Sequence, residues 1–358
     1  MGLAILNSKN SGIHFGLDIG QNSLKLMQIE SPPGKPPKVI GFGLSDFYKV
    51  EAIKNGEIVD QKAIAKALND TIDNRLTGAI TTTNVACTLP TSRTFSRPIR
   101  LPKLSKAEIE EAIQLETEQY IPLPPDKLYI DYEIISKDDQ NTELLVVAAP
   151  RSLVDSYMNF LAAIGLQPVA LEPTMNATAR LYNLVDPTHE KPTIMIDLGS
   201  VATDIAVFDK TMFVNSTLQG GSDTITDMVS KKFGVSSEEA LAIKNKEGIA
   251  YSDQLRDIVP VIKPMLDELI REIKRIVRYY NERVGASKKI ETVVTTGGGA
   301  TLKGLSDYLS AELKLPIHML DPWDKINFGK LNPPPEMLKS VYLTAAGVAI
   351  LQPKELNT

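Results

Sequence analysis

The sequence predicts an α/β protein of two related lobes, with a small α+β unit inserted in the first lobe. Three observations predict it. A pattern of apolar strand, Asp-x-Gly, polar turn and apolar strand occurs at Asp18-Ile-Gly20 and again at Asp197-Leu-Gly199, 179 residues later. The 358 residues, 43% apolar and 23% charged, suit a globular chain of about two domains at roughly 150 residues each. Between the two copies the composition shifts at Arg97-Pro-Ile-Arg-Leu-Pro-Lys103, where a helix and two further strands interrupt the pattern.

His14–Glu30 holds two apolar runs around a glycine-containing turn, which reads as a β-hairpin. The proline-rich loop 31–37 reads as a stiff surface turn, because proline cannot donate to a sheet ladder, and it leads to a strand over 39–44. Residues 60–71 have helical spacing, and 84–89 form a short buried strand. A helix over 105–120 opens with a capping box, Ser105 followed by Glu108, and shows Ile109 and Ile113 with Ala112 and Leu115 on its apolar side. Ile121-Pro-Leu-Pro-Pro125 breaks it. Strands over 129–136 and 144–149 and a helix over 152–164, ended by Gly165, complete an inserted unit of residues 93–166.

The second hairpin occupies 193–210. Gly220-Gly221 opens a helix over 222–233, and Ser236 begins another running to Lys244. From Asp253 to Arg283, Ile258, Ile262, Leu266, Leu269, Ile273, Ile276 and Tyr280 recur three or four apart, the spacing of one long helix. Pro260 and Pro264 fall near its start, where missing N–H groups cost least. A strand over 293–299 ends in three glycines; a helix over 303–313 follows, and a small apolar helix closes the pattern at 341–351.

Composition narrows the function classes. The chain carries 39 Lys+Arg against 44 Asp+Glu, a net charge of −5, which argues against a general nucleic-acid binder. One cysteine, Cys87, excludes a disulfide framework, and His14, His189 and His318 are too scattered for a histidine zinc site. No run reaches the ~18 apolar residues of a membrane span, and Met1–Leu6 lacks the basic flank of a signal peptide. The expectation is a cytoplasmic protein that meets a membrane only through a partner.

A single Asp-x-Gly hairpin is most simply a tight turn. Two matched ones suit a triphosphate, because turn N–H groups wrap phosphates and carboxylates at Asp18 and Asp197 share a magnesium ion with them. Thr295-Thr-Gly-Gly-Gly299 lets a flat ligand approach the backbone. Its spacing matches neither the P-loop nor the dinucleotide fingerprint.

Together these motifs resemble the actin-like ATPase superfamily. Asp18–Ser23 (with Gly20, Gln21 and Asn22) matches its first phosphate motif, Asp197–Asp204 (with Gly199, Ser200 and Thr203) the second, and Gly297, Gly298 and Gly299 the adenosine motif. Leu171-Glu-Pro-Thr174 and Ala345-Ala-Gly347 resemble the two connecting segments. The resemblance implies two RNase-H-like lobes with ATP and Mg2+ in the cleft between them: a first lobe of 1–175 plus 338–358 and a second of 176–337. It also implies nucleotide contacts from Lys25, Gly220, Gly221 and Lys244, and a water-orienting role for Glu172. Each has a plainer reading: a strand-surface lysine for Lys25, a solvated helix lysine for Lys244, a helix-start carboxylate for Glu172.

The insert carries a closer resemblance. Leu101-Pro-Lys-Leu-Ser105, Leu115-Glu-Thr-Glu-Gln-Tyr-Ile-Pro122 and Leu144-Leu-Val-Val-Ala-Ala-Pro150 are similar to the extra subdomain of the FtsA/PilM branch. The tail Gln352–Thr358 cannot form the amphipathic membrane helix of the FtsA family, which favours the PilM family of type IV pilus assembly proteins. That resemblance implies an ATP-binding adaptor of the pilus inner-membrane complex that holds the cytoplasmic N-terminal tail of PilN beside the insert. A filament former like FtsA and a small-molecule kinase are the rival readings. Two departures temper the match. The second turn reads Ser200-Val-Ala202 where the superfamily places glycines, so slow or absent hydrolysis is expected. Leu241 stands where related chains carry a ribose-binding Glu three residues before Lys244.

Overall fold

A computed structural model describes residues 12–47, 50–188, 191–249, 258–285 and 288–352. Met1–Leu6, His189, the first turn expected for the long helix (253–257) and the tail 353–358 lie outside the described residues. The chain divides into two compact units, one of 1–185, 322–333 and 344–358, the other of 186–321 and 334–343. The expected passage near residue 175 therefore falls ten residues later, because the helix after the first connecting segment buries Met175, Ala177, Ala179 and Leu181 within the first unit.

In the first unit β1 (Phe15–Ile19), β2 (Ser23–Glu30) and β3 (Lys38–Asp46) form an antiparallel meander. A small hairpin, β4 (Ile53–Lys54) and β5 (Glu57–Ile58), precedes helix α1 (Gln61–Asn74), whose N-cap Asp60 accepts from the Ala63 N–H. β6 (Thr77–Gly78) pairs with β3, and β7 (Asn84–Leu89) runs parallel to β1.

The insert comes next: β8 (Phe95–Pro102), α2 (Lys106–Tyr120), β9 (Leu128–Lys137) and β10 (Asn141–Pro150). Its sheet has the order β8-β10-β9, and the capping box at Ser105 and Glu108 is formed as the sequence predicts. Ile109 and Ile113 pack on their own sheet, against Ile99, Leu101, Leu144 and Val146. Leu115, expected on that apolar side, is instead 64% exposed. A helix of this length buries one stripe, and position 115 falls outside it.

α3 (Arg151–Ala163), β11 (Gln167–Pro173) and α4 (Thr174–Val185) complete the main part of this unit. Strand period explains how the insert is attached. Leu144 and Val146 of β10 face α2, whereas Leu145, Val147 and Ala149 face the lobe core with Leu153, Tyr157 and Phe160 of α3. Helix α3, expected within the insert, thus belongs to the core of the lobe. The six-stranded sheet has the order β11-β7-β1-β2-β3-β6.

The second unit repeats the plan. β12 (Thr193–Leu198), β13 (Ala202–Asp209) and β14 (Thr211–Gln219) form the meander, followed by α5 (Ser222–Phe233), α6 (Ser237–Glu247) and α7 (Ile258–Val284). β15 (Thr292–Thr296), α8 (Leu305–Leu313), β16 (Ile317–Met319), α9 (Glu336–Lys339) and α10 (Leu343–Ala349) come last, α10 entering the first unit at Thr344. The sheet order β14-β13-β12-β15-β16 reproduces β3-β2-β1-β7-β11 element for element, with the meander antiparallel and the remaining neighbours parallel in both. The seam expected on α7 is buried as Ile262, Leu266, Leu269, Ile273, Ile276 and Tyr280, each burial stabilising by roughly 1.5–3 kcal/mol. Among the described residues, no helix is long and apolar enough to cross a membrane.

Candidate functional site: one acidic hairpin in each unit

In the first unit Asp18 is the penultimate residue of β1, 7% exposed, with its carboxylate held on two sides. Thr88 on the parallel neighbour β7 donates to Oδ1 at 2.8 Å, and Lys25, its cross-strand partner on β2, sits 3.3 Å from Oδ2. Lys25 therefore is not a strand-surface lysine: antiparallel register places its ammonium over the hairpin carboxylate. The turn closes through the Gly20 N–H to Ser23 O at 2.9 Å. Gln21 donates to the Ile53 carbonyl at 2.9 Å, and the Asn22 carbonyl accepts from the Phe47 N–H, so both residues brace the turn against neighbouring chain. Thr88 escaped the sequence reading, since nothing in a buried strand marks one hydroxyl as a carboxylate partner before the register of β1 and β7 is known.

In the second unit the corresponding turn is docked on the start of α5. The Gly199 N–H bonds Ala202 O, the Ser222 and Asp223 N–H groups donate to Gly199 O and Ser200 O at 2.9 Å, and Thr203 Oγ1 donates to Gly220 O. A Cβ on Gly221 would lie 2.3 Å from Gly199 O, so only glycine permits this approach. The glycine turn packs on the same hairpin. Gly297 has φ +82°, and its missing Cβ would lie 2.3 Å from Asp197 Oδ1 and 2.6 Å from Leu198 O. A Cβ on Gly299 would lie 2.9 Å from Leu198 Cβ, and Gly298 is exposed, with Val341 the nearest neighbour of its missing Cβ. Asp197, Gly199, Ser200, Thr203, Gly220, Gly221 and the three glycines are thus one local assembly; Asp18, Gly20, Gln21, Asn22, Ser23 and Lys25 are another.

Two expected residues stand elsewhere. Lys244 is neither solvated nor turned outward. It is 5% exposed, and its ammonium donates to Ser222 O, Ser222 Oγ and Thr226 Oγ1 at 2.7–2.9 Å. Three acceptors use its three protons, so it bolts α6 to the first turn of α5, and burial lowers its pKa. Glu172 is fully buried, with both carboxylate oxygens taken by the Arg180 guanidinium at 2.6 and 2.8 Å. Arg180 also donates to Gly347 O at 3.1 Å, so the pair ties β11 to α10 inside the first unit. That two-point hold gives Glu172 a structural role within the first unit beside the water-orienting role expected of it.

Asp204, which ends the second phosphate motif, stands opposite Asp197 across the β12–β13 ladder. It is buried and accepts a short hydrogen bond from Thr217 Oγ1. Burial, with Asp197 adding repulsion, raises its pKa from 3.8 to about 7. The sign comes from linkage. The folded state holds this proton more tightly than the unfolded state, so Asp204's own contribution to stability is greatest below pH ~4, falls as pH rises toward ~7, and is level above that. Asp204→Asn should remove this contribution to the slope in urea titrations and leave the variant more stable than the parent at pH 8, by up to about 4 kcal/mol at ~1.4 kcal/mol per pKa unit. An unchanged slope would contradict the assignment.

Two units built on one five-strand plan, each with an acidic hairpin and one with a glycine turn packed on it, define the actin-like ATPase fold. The chain belongs to the family of the type IV pilus assembly protein PilM, whose model matches residues 16–352. Over 95% of this chain and 98% of the other it is similar to a solved chain of a PilM–PilN type IV pilus biogenesis complex, with TM-score 0.81 and 22% identity. Ethanolamine utilization protein EutJ from Carboxydothermus hydrogenoformans is similar over 95% of this chain and 89% of its own, at TM-score 0.56 and 16% identity. MreB5 of Spiroplasma citri, solved with ADP, is similar over 96% and 97%, at TM-score 0.53 and 12% identity. A type II secretion system protein L of Xanthomonas campestris pv. campestris is 22% identical over 238 residues, which is 62% of this chain and 60% of that relative's length. The fold class expected from the twin hairpins and the family expected from the insert both hold.

Proposed function

We propose that this protein is a cytoplasmic, nucleotide-gated adaptor of a type IV pilus inner-membrane complex. In this reading it binds ATP with Mg2+ and holds the cytoplasmic N-terminal tail of a PilN-like membrane protein. The observation that carries the reading is the family match across 16–352, which includes the insert as well as both hairpins. The likeness to a chain solved in a PilM–PilN complex supports the partner, and the likeness to an ADP-bound MreB5 supports the nucleotide.

The second unit fits a nucleotide on its own geometry. Gly297, Gly299 and Gly221 keep the backbone bare where side chains would collide. Among the described residues, the buried hydroxyls Thr296 Oγ1, next to the glycine turn, and Ser340 Oγ have no hydrogen-bond partner, which a polar ligand would supply. Each unit brings one hairpin carboxylate, Asp18 or Asp197, the type of ligand that would hold magnesium alongside waters and phosphates. Lys25 pairs with Asp18 within the first unit, and its ammonium would also serve a phosphate. ATP supplies the negative charge to be gripped and the differential affinity that shifts the adaptor's conformational equilibrium. With side chains at Ser200, Val201 and Ala202, and Glu172 engaged elsewhere, turnover is slow or absent.

The test is calorimetry with Mg-ATP. The parent should bind, whereas Asp18→Ala and Asp197→Ala should each lose most of the affinity; full affinity in both variants would sink the site. A pull-down with the PilN-like tail peptide, with and without ATP, tests the adaptor half separately, and equal failure in both conditions would count against it.

A further inference from the structure

Helix α7 carries a basic stripe that neither hairpin uses. Residues 271–289 hold seven Lys+Arg and two acids, whereas the rest of the chain holds 32 against 42. Arg271, Lys274, Arg275 and Arg278 have i, i+3, i+4, i+7 spacing, are all exposed, and lie opposite the buried seam of Leu269, Ile273, Ile276 and Tyr280. Arg275 is paired with Glu272. Arg271, Lys274 and Arg278 have no ion-pair or hydrogen-bond partner among the described residues. Beyond the stripe, Arg283 stacks over Tyr279 and Lys289 is exposed. The helix macrodipole does not account for the array, because its effect is confined to the last turn and these residues begin three turns earlier.

We infer that this face of α7 is a docking surface for an anionic lipid bilayer, reached by the folded protein without insertion. Its charges run for about 10 Å along the exposed side of α7 at 1.5 Å per residue, between the exposed Glu268 and Glu282, a length that meets several headgroups at once. No exposed aliphatic or aromatic side chain stands among them, so the face lacks the anchor around which a protein interface is built. It likewise offers no aromatic stacking platform for single-stranded nucleic acid. A surface of anionic headgroups asks only for mobile cationic side chains, each adding to a binding that salt screens. The inference stands on α7 alone and does not depend on nucleotide or PilN-like tail binding.

Cosedimentation of the full chain with vesicles of phosphatidylcholine plus phosphatidylglycerol, and with phosphatidylcholine alone, tests it. Binding is expected to the anionic vesicles only, and to be lost in high salt. Arg271→Glu, Lys274→Glu and Arg278→Glu combined should weaken it about tenfold or more, given the contribution of each charge near the surface. Lys62→Glu with Lys66→Glu, on exposed positions of α1, should leave it close to the parent value. Arg271→Lys with Arg278→Lys should also retain binding, and thermal melts confirm that each variant folds. Absence of parent binding, equal binding by the triple variant, or preferential binding to duplex DNA or to an acidic polypeptide in the same buffer would overturn the inference.

Discussion

Arg180→Ala is expected to cost about 3–5 kcal/mol of unfolding free energy, the usual penalty for removing one partner of a buried ion pair. The reason lies in what the substitution leaves behind. Glu172 is fully buried, and both of its oxygens depend on the guanidinium, so truncation strands a charge that water cannot reach. The Gly347 carbonyl on α10 loses its donor in the same step. Urea denaturation measures the loss. A double variant, Glu172→Gln with Arg180→Met, removes the charge as well as its partner and should recover much of it, so the cycle separates coupling from simple truncation. A loss below about 1 kcal/mol for Arg180→Ala would mean that Glu172 finds water or another cation. Glu172→Gln should lower stability while sparing ATP affinity, which distinguishes a structural clamp from a residue serving the nucleotide.

The second large effect is expected from Gly297→Ala. A methyl group would sit 2.3 Å from Asp197 Oδ1 and 2.6 Å from Leu198 O, on backbone at φ +82°. Strain in that region costs of order 1–3 kcal/mol, and relief of the overlap must move the carboxylate or the β12 backbone. The variant should therefore lose about 3 kcal/mol of stability and most of its ATP affinity together. Gly298→Ala is the control, because the nearest atom to its added Cβ is Val341 Cγ2 at 3.9 Å. If Gly297→Ala behaves like Gly298→Ala in both measurements, the packing of the glycine turn on the acidic hairpin has no functional weight.

Much of the architecture is legible in the chain itself. Continuous apolar runs at 194–196 and 205–208 and the intervening Asp-Leu-Gly dictate a hairpin because short buried strands and turn chemistry are local signals. Ser105 with Glu108, and Ser236 with Glu239, mark helix starts that the structure forms as capping boxes, again from bonds spanning three residues. Strands β8, β11, β14 and β16, the short β4 to β6 and helices α4 and α9 are not among the elements the sequence predicts. β14 carries intermediate burial along most of its length, and α4 begins directly after a proline-ended strand with no spacer to announce it.

The site divides along the same line. By itself the sequence determined that two Asp-x-Gly hairpins and a glycine turn exist, and that an insert stands between the first hairpin and the second. Each of these depends on residues within a few positions of one another. Only the tertiary structure decided that Lys25 and Thr88 flank Asp18, that Gly297 lies against Asp197, that Lys244 is spent on α5, and that Glu172 belongs to Arg180. Those pairings join residues from 7 to 100 positions apart. They are set by strand register and helix packing, and a side chain's chemistry is silent about which distant neighbour will use it.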